Sequence, residues 1–164
     1  MFGNLFARPP AEARARIEPG ERLTAWGLAP DGSAVLATTR GLLLPDGSRY
    51  DWHLIHKAVW NEGTLTVVPS IEVAPGVVAD GPPFTVELGE PRDLPAEVRT
   101  RVTRSVAYSA LHPVPGGGVR VIARRIPGQD GLAWVVRYDG EADIGDPSVR
   151  AAAEVYLAEA KTLV

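Results

Sequence analysis

The chain has 164 residues, no cysteine and a net charge of −3. That length suits one domain of ordinary size, or one domain plus an appended unit, and a hydrophobic content of 45% is enough for a buried core. The absent cysteines exclude disulfides, thiolate metal sites and cysteine nucleophiles, and the negative charge excludes an overall basic pull toward nucleic acid or anionic lipid. With 17 Gly and 15 Pro, short strands and turns are favoured over a helical bundle.

In chain order, Met1–Arg8 is apolar but short, without the charged and hydrophobic regions of a secretory signal. Phe2, Leu5 and Phe6 are expected to pack on the domain, the alternative being a graze of a membrane surface. No apolar run reaches bilayer-spanning length. A short helix is predicted over Ala11–Ile17, between Pro9-Pro10 and Pro19-Gly20. A strand follows over Arg22–Leu28, then the turn Pro30-Asp31-Gly32-Ser33.

Strands over Ala34–Thr39 and Leu42–Leu44 flank Arg40-Gly41, and Asp46-Gly47 turns the chain into a third run, Tyr50–Trp60. Alternation places His53 and His56 on opposite faces of that run, which argues against a shared metal. Trp52 and Trp60, an even step apart, share a face unless a bulge intervenes. Thr64–Val68 is the next strand. Pro69–Pro83, with four prolines, reads as a long loop with an edge strand near Ile71–Val73, and Phe84–Leu88 as a further strand. A helix starts at Pro95, with Val98 and Val102 on its apolar face, and is expected to run until just before His112-Pro113. Pro115–Gly118 reads as a flexible joint. Val119–Ile126 and Leu132–Tyr138 form a hairpin, and Asp146-Pro147 opens a last helix with Val149, Ala152, Ala153, Tyr156, Ala160 and Leu163 in its apolar stripe.

The order is a meander, a helix, a hairpin and a helix, so the fold class is α+β with antiparallel strands. Ala37-Thr38-Thr39-Arg40, Leu42 to Leu44, Trp52, Ile55 and Trp60 carry a resemblance. Glu21 to Leu111 resembles the pleckstrin-homology-like (PH-like) superfold, a bent antiparallel sheet or partly open barrel closed by a helix. The stretch is similar to uncharacterised actinobacterial proteins related to bacterial PH-like and GRAM-like domains. The resemblance implies a binding scaffold without a built-in active site, and it transfers no functional residue. The expected organisation is an N-terminal segment over 1–20, a PH-like domain over 21–111, and an appended hairpin and helix over 112–164.

Familiar chemistry is missing. The Gly-rich run 116–118 lacks the Lys and helix of a phosphate loop, the acidic stretch 139–143 lacks calcium-loop spacing, and no Gly-x-Ser-x-Gly elbow occurs. No catalytic residue, cofactor or metal is expected. Charge segregation is the strongest signal. Residues 98–129 hold six arginines and no acid, and residues 139–159 hold six acids against Arg150 alone. Arg101, Arg104, Arg120 and Arg124 are therefore the candidate partner-binding residues, lining a surface for an acidic group of a protein partner or of the chain's own acidic segment. The expected function is a cytoplasmic, non-enzymatic interaction or adaptor module binding a protein. A peripheral membrane module using the arginines is the alternative, and a small hydrolase-type enzyme the third reading. Nucleic acid and small molecules are not the expected partners.

Overall fold

The computed structural model describes residues 8–164. The expectation for Phe2, Leu5 and Phe6 lies outside them. Helix α1 (Ala11–Arg14) leads into a four-stranded antiparallel sheet of β1 (Leu23–Leu28), β2 (Ala34–Thr38), β3 (Gly41–Leu43) and β4 (Arg49–Asp51). The same residues, Pro-Asp-Gly-Ser, close the β1–β2 and β3–β4 turns. Asp31 and Asp46 each accept from the backbone N–H of the serine two residues on, at 2.9 Å, while Gly32 and Gly47 take φ of +86° and +94°. Strand β2 is buried along its whole length because both faces are covered. Val35 and Ala37 enter the main core, whereas Leu36 packs with Trp26 and Leu43 under Ala13 of α1. Its near-continuous apolar run is the consequence.

Thr38 fastens the β2–β3 corner. Its hydroxyl donates to the buried Glu21 carboxylate at 2.6 Å and accepts from the backbone N–H of Gly41 at 3.1 Å. Gly41 has no room for a side chain: a Cβ there overlaps the Tyr50 carbonyl oxygen and stands 2.9 Å from Asp51 Cα. Gly41→Ala should lower unfolding free energy by about 2–3 kcal/mol, the upper part of the usual overpacking range. Urea denaturation measures it, and an unchanged midpoint would refute the close approach.

The run Tyr50–Trp60 is not one strand. It splits into β4, a 3₁₀ turn (Trp52–Leu54) and β5 (Ile55–Asn61), and the turn carries the chain from the first sheet to the second. Trp52 stands at the break. It is buried, and its indole N–H donates to the Thr38 carbonyl at 2.8 Å. β5 pairs with β6 (Thr64–Ala74), and their register slips between Ile55 and Lys57, so His56 sits at a bulge.

The long loop expected over Pro69–Pro83 is also corrected. β6 continues through Pro69 to Ala74 and pairs with β7 (Val77–Asp80). Pro69 is tolerated because β6 changes neighbour there, pairing with β8 (Phe84–Glu87) over Thr64–Val67 and with β7 from Ser70 onward. Beyond β8, Leu28 and Glu90 exchange backbone hydrogen bonds of 2.8 and 3.1 Å, which curls the two sheets into a half-barrel. Every strand pair within Glu21–Leu88 is antiparallel.

Helix α2 (Leu94–Ser105) closes the half-barrel, with Leu94, Val98 and Val102 against Trp52, Ile55, Leu65 and Val67. It ends well before His112. Ser105 Oγ donates to the Val102 carbonyl at 2.7 Å, and the chain leaves as β9 (Val106–Val114). The apparent helical spacing of Val106 and Ser109 is overridden by pairing of β9 with β10 (Gly117–Arg125), which pairs in turn with β11 (Leu132–Gly140). The 111/112 boundary therefore falls inside a strand, and the appended unit is a three-stranded sheet plus α3 (Pro147–Leu163) that begins at Val106. Gly117 and Gly118 belong to β10 and are not part of a joint. Asp146 caps α3 by accepting from the backbone N–H of Ser148 at 2.9 Å. Val149, Ala153 and Ala160 of α3 cover Val119, Val121 and Val136, whereas Leu163, at the end of the expected stripe, is exposed in the helix's last turn. β9–β11 continue the second sheet, which numbers seven strands in all, through the parallel pairing of β11 with β7 at Val136 and Val77.

Candidate functional site: a cationic cleft beside the second helix

β5 and α2 pack side by side, and a cleft of about 400 Å³ opens between them. β5 contributes His56, Lys57 and Ala58, α2 contributes Arg99, Val102 and Thr103, and Val106 closes the end. A shallower depression continues over α2 past Ala96, Thr100 and Arg104, sharing Arg99 and Thr103 with the first. Arg99 and Thr103 are one helical turn apart and so share a face, flanking the buried Val102 at the edge of the helix's apolar side. The bulge at His56 disrupts the alternation of β5 where the cleft begins. Among the described residues no Asp or Glu lines either depression. The result is a guanidinium, an ammonium, an imidazole and a hydroxyl around a partly apolar floor, suited to receiving carboxylates.

The four arginines singled out from sequence do not form one surface. Arg104 is exposed and lines the outer depression. Arg101 turns to Glu97, with Nε 3.7 Å from its carboxylate. Arg120 lies on the appended sheet, donating to Ser109 Oγ at 3.0 Å with Asp139 at 3.9 Å. Arg124 shares the Arg120 face of β10 but is buried, with Nη1 donating to Ser105 Oγ at 2.8 Å. The acidic segment cannot fold onto these arginines as a block, because α3 covers the opposite face of the sheet, that of Val119 and Val121. Asp139 on β11 is its only member in an ion pair among the described residues.

The two histidines are also placed differently from expectation. The 3₁₀ turn and the bulge break the alternation, and both imidazoles come within the field of Arg124. Burial pushes both below the ordinary imidazole range. For His56, Arg137 adds to that and Asp80 opposes it; for His53, Asp51 opposes it and Arg124 adds to it. Among the described residues no group of three or more His, Cys, Asp or Glu side chains could hold a metal ion. No helix among them is long and apolar enough to cross a membrane.

A second concavity, about 380 Å³, lies where α3 meets β7 and β11. It is walled by Val77, Val136, Ala153 and Leu157, with Tyr138, Arg150 and Glu154 as its ionisable groups.

What the geometry defines is an α+β chain, mostly strands, with a curled half-barrel, a closing helix and a C-terminal helix, carrying a cationic cleft on its closing helix. Comparison with protein-family models, with curated proteins and with solved structures finds no match.

Proposed function

We propose that this chain is a non-enzymatic, PH-like interaction module of the cytoplasm that docks an acidic segment of a partner protein in the cleft between α2 and β5. One observation carries the reading. In a chain of net charge −3, Lys57, Arg99, His56 and Thr103 line one depression without a single carboxylate. The depression lies between two regular elements, α2 and β5, which hold its walls better than loops would. The resemblance to bacterial PH-like and GRAM-like domains agrees with a binding scaffold.

The test is charge reversal. Lys57→Glu with Arg99→Glu should abolish capture of the acidic partner. It should shift unfolding little, because both side chains are exposed and such groups contribute about 0–1 kcal/mol each. Wild-type capture should weaken as salt shortens the screening length from ~10 Å at 0.1 M. Capture that survives both treatments would contradict the reading. Flotation with anionic vesicles, lost in the same variant, would replace the protein partner with a membrane surface.

A further inference from the structure

Behind the cleft, the appended sheet meets the half-barrel through a polar seam. Arg124 and Arg137 sit there at only 5% and 7% exposure. Arg137 donates to the Asp80 carboxylate, with Ser70 Oγ at 3.5 Å. Arg124 donates to Ser105 Oγ and makes no ion pair among the described residues. A buried guanidinium without a carboxylate is a costly arrangement. The two histidines share this seam. His56 Nε2 lies 3.8 Å from Asp80 Oδ1, while the Nδ1 atoms of His53 and His56 and the Nε of Arg137 are buried without a hydrogen-bond partner.

The charges around the imidazoles are Arg124 of β10, Arg137 of β11, Asp80 of β7, Lys57 of β5, Asp51 of β4 and, from α2, Arg99, which lines the cleft with His56. With neutral histidines that is four cations against two carboxylates. Protonating both makes it six against two, around guanidiniums that cannot move to water without parting β9–β11 from the half-barrel.

We infer that His53 and His56 form an acid-released latch between the half-barrel and the appended β9–β11 sheet, closed while both imidazoles are neutral and opened when both are charged. The latch does not depend on what the cleft binds, although His56 belongs to both places. Its sign follows from burial. Both imidazoles are held below their ordinary value of about 6.5, so the opened state takes up protons more readily. Closure is fully favoured above about pH 6.5 and weakens as pH falls, by up to about tenfold per pH unit per histidine. Asp31, Asp46 and Asp146, each accepting a serine hydroxyl, titrate below the ordinary carboxylate range and stay outside this window.

Hydrogen exchange of the full chain between pH 7.5 and 5.5, corrected for intrinsic rates, tests the latch. Protection of β9–β11 and α3 should fall by roughly ten- to a hundredfold, while β1–β4 keep theirs. His53→Gln with His56→Gln should flatten the fall, and His112→Gln, outside the seam, should leave it intact. Arg124→Gln, which removes a buried cation and keeps a donor for Ser105, gives an independent reading and should also make the seam less acid-sensitive. The latch is overturned if wild-type protection is indifferent to pH, if β1–β4 lose protection together with β9–β11, or if the histidine double variant or Arg124→Gln shows the wild-type fall.

Discussion

Val98→Asp should abolish the folded state at ordinary temperature. Val98 is fully buried on the inner face of α2, among Leu94, Val102, Trp52 and the inward residues of β5 and β6. A carboxylate there loses the packing of a valine and has no partner, so it must either stay charged in an apolar site or bind a proton at neutral pH. The combined cost is about 4–5 kcal/mol or more, comparable with the whole stability of a domain at the lower end of the usual ~5–15 kcal/mol. Thr103→Asp, on the exposed face of the same helix, should cost under about 1 kcal/mol. Circular dichroism and urea titration of the pair measure the contrast. Equal behaviour would show that α2 does not close the half-barrel through this face.

Trp52→Ala is the second large effect. The indole fills the core where the chain passes between sheets, and it is the donor to the Thr38 carbonyl. Truncation leaves a cavity and an unpaired acceptor, costing about 3–5 kcal/mol. In a chain of this size that is roughly 10 °C or more in melting temperature. Trp52→Phe keeps most of the ring and loses the hydrogen bond, so about 1–2 kcal/mol is expected. Thermal unfolding separates the two, and a Phe variant as unstable as the Ala variant would show that the hydrogen bond outweighs the packing.

The parts legible in sequence were those set by local chemistry. Asp-Gly turns, the Asp146 cap and the apolar stripes of α2 and α3 all follow from spacing and turn residues. The misread stretches were those where tertiary context decides. Pro69 reads as a strand breaker until β6 is seen to change partner there. Val106–Leu111 continues a helical pattern on paper, yet β10 offers a pairing edge that the isolated stretch cannot reveal. The step between His53 and His56 is odd, but a 3₁₀ turn and a bulge intervene, and both arise from packing rather than from a sequence signature.

The site was half legible. The arginine-rich, acid-free stretch contains Arg99, which lines the cleft, and Arg104, which lines the outer depression. Composition cannot separate Arg99, which opens to the cleft, from Arg124, which is sealed in the seam, because both belong to one charge run. Lys57 carries no sequence signal at all. It joins the site only because β5 packs beside α2.

The most direct test of the proposed cleft is site-specific photocrosslinking from position 103. A photoreactive residue replacing Thr103 stands at the junction of both depressions, and one replacing Ser109 stands on the appended sheet beside Arg120. One dominant adduct from position 103 is expected, fading as salt rises and absent when Lys57→Glu and Arg99→Glu are added, with no adduct from position 109. An adduct from position 109 alone, or one from position 103 that persists through both charge reversal and high salt, would contradict docking in the cleft.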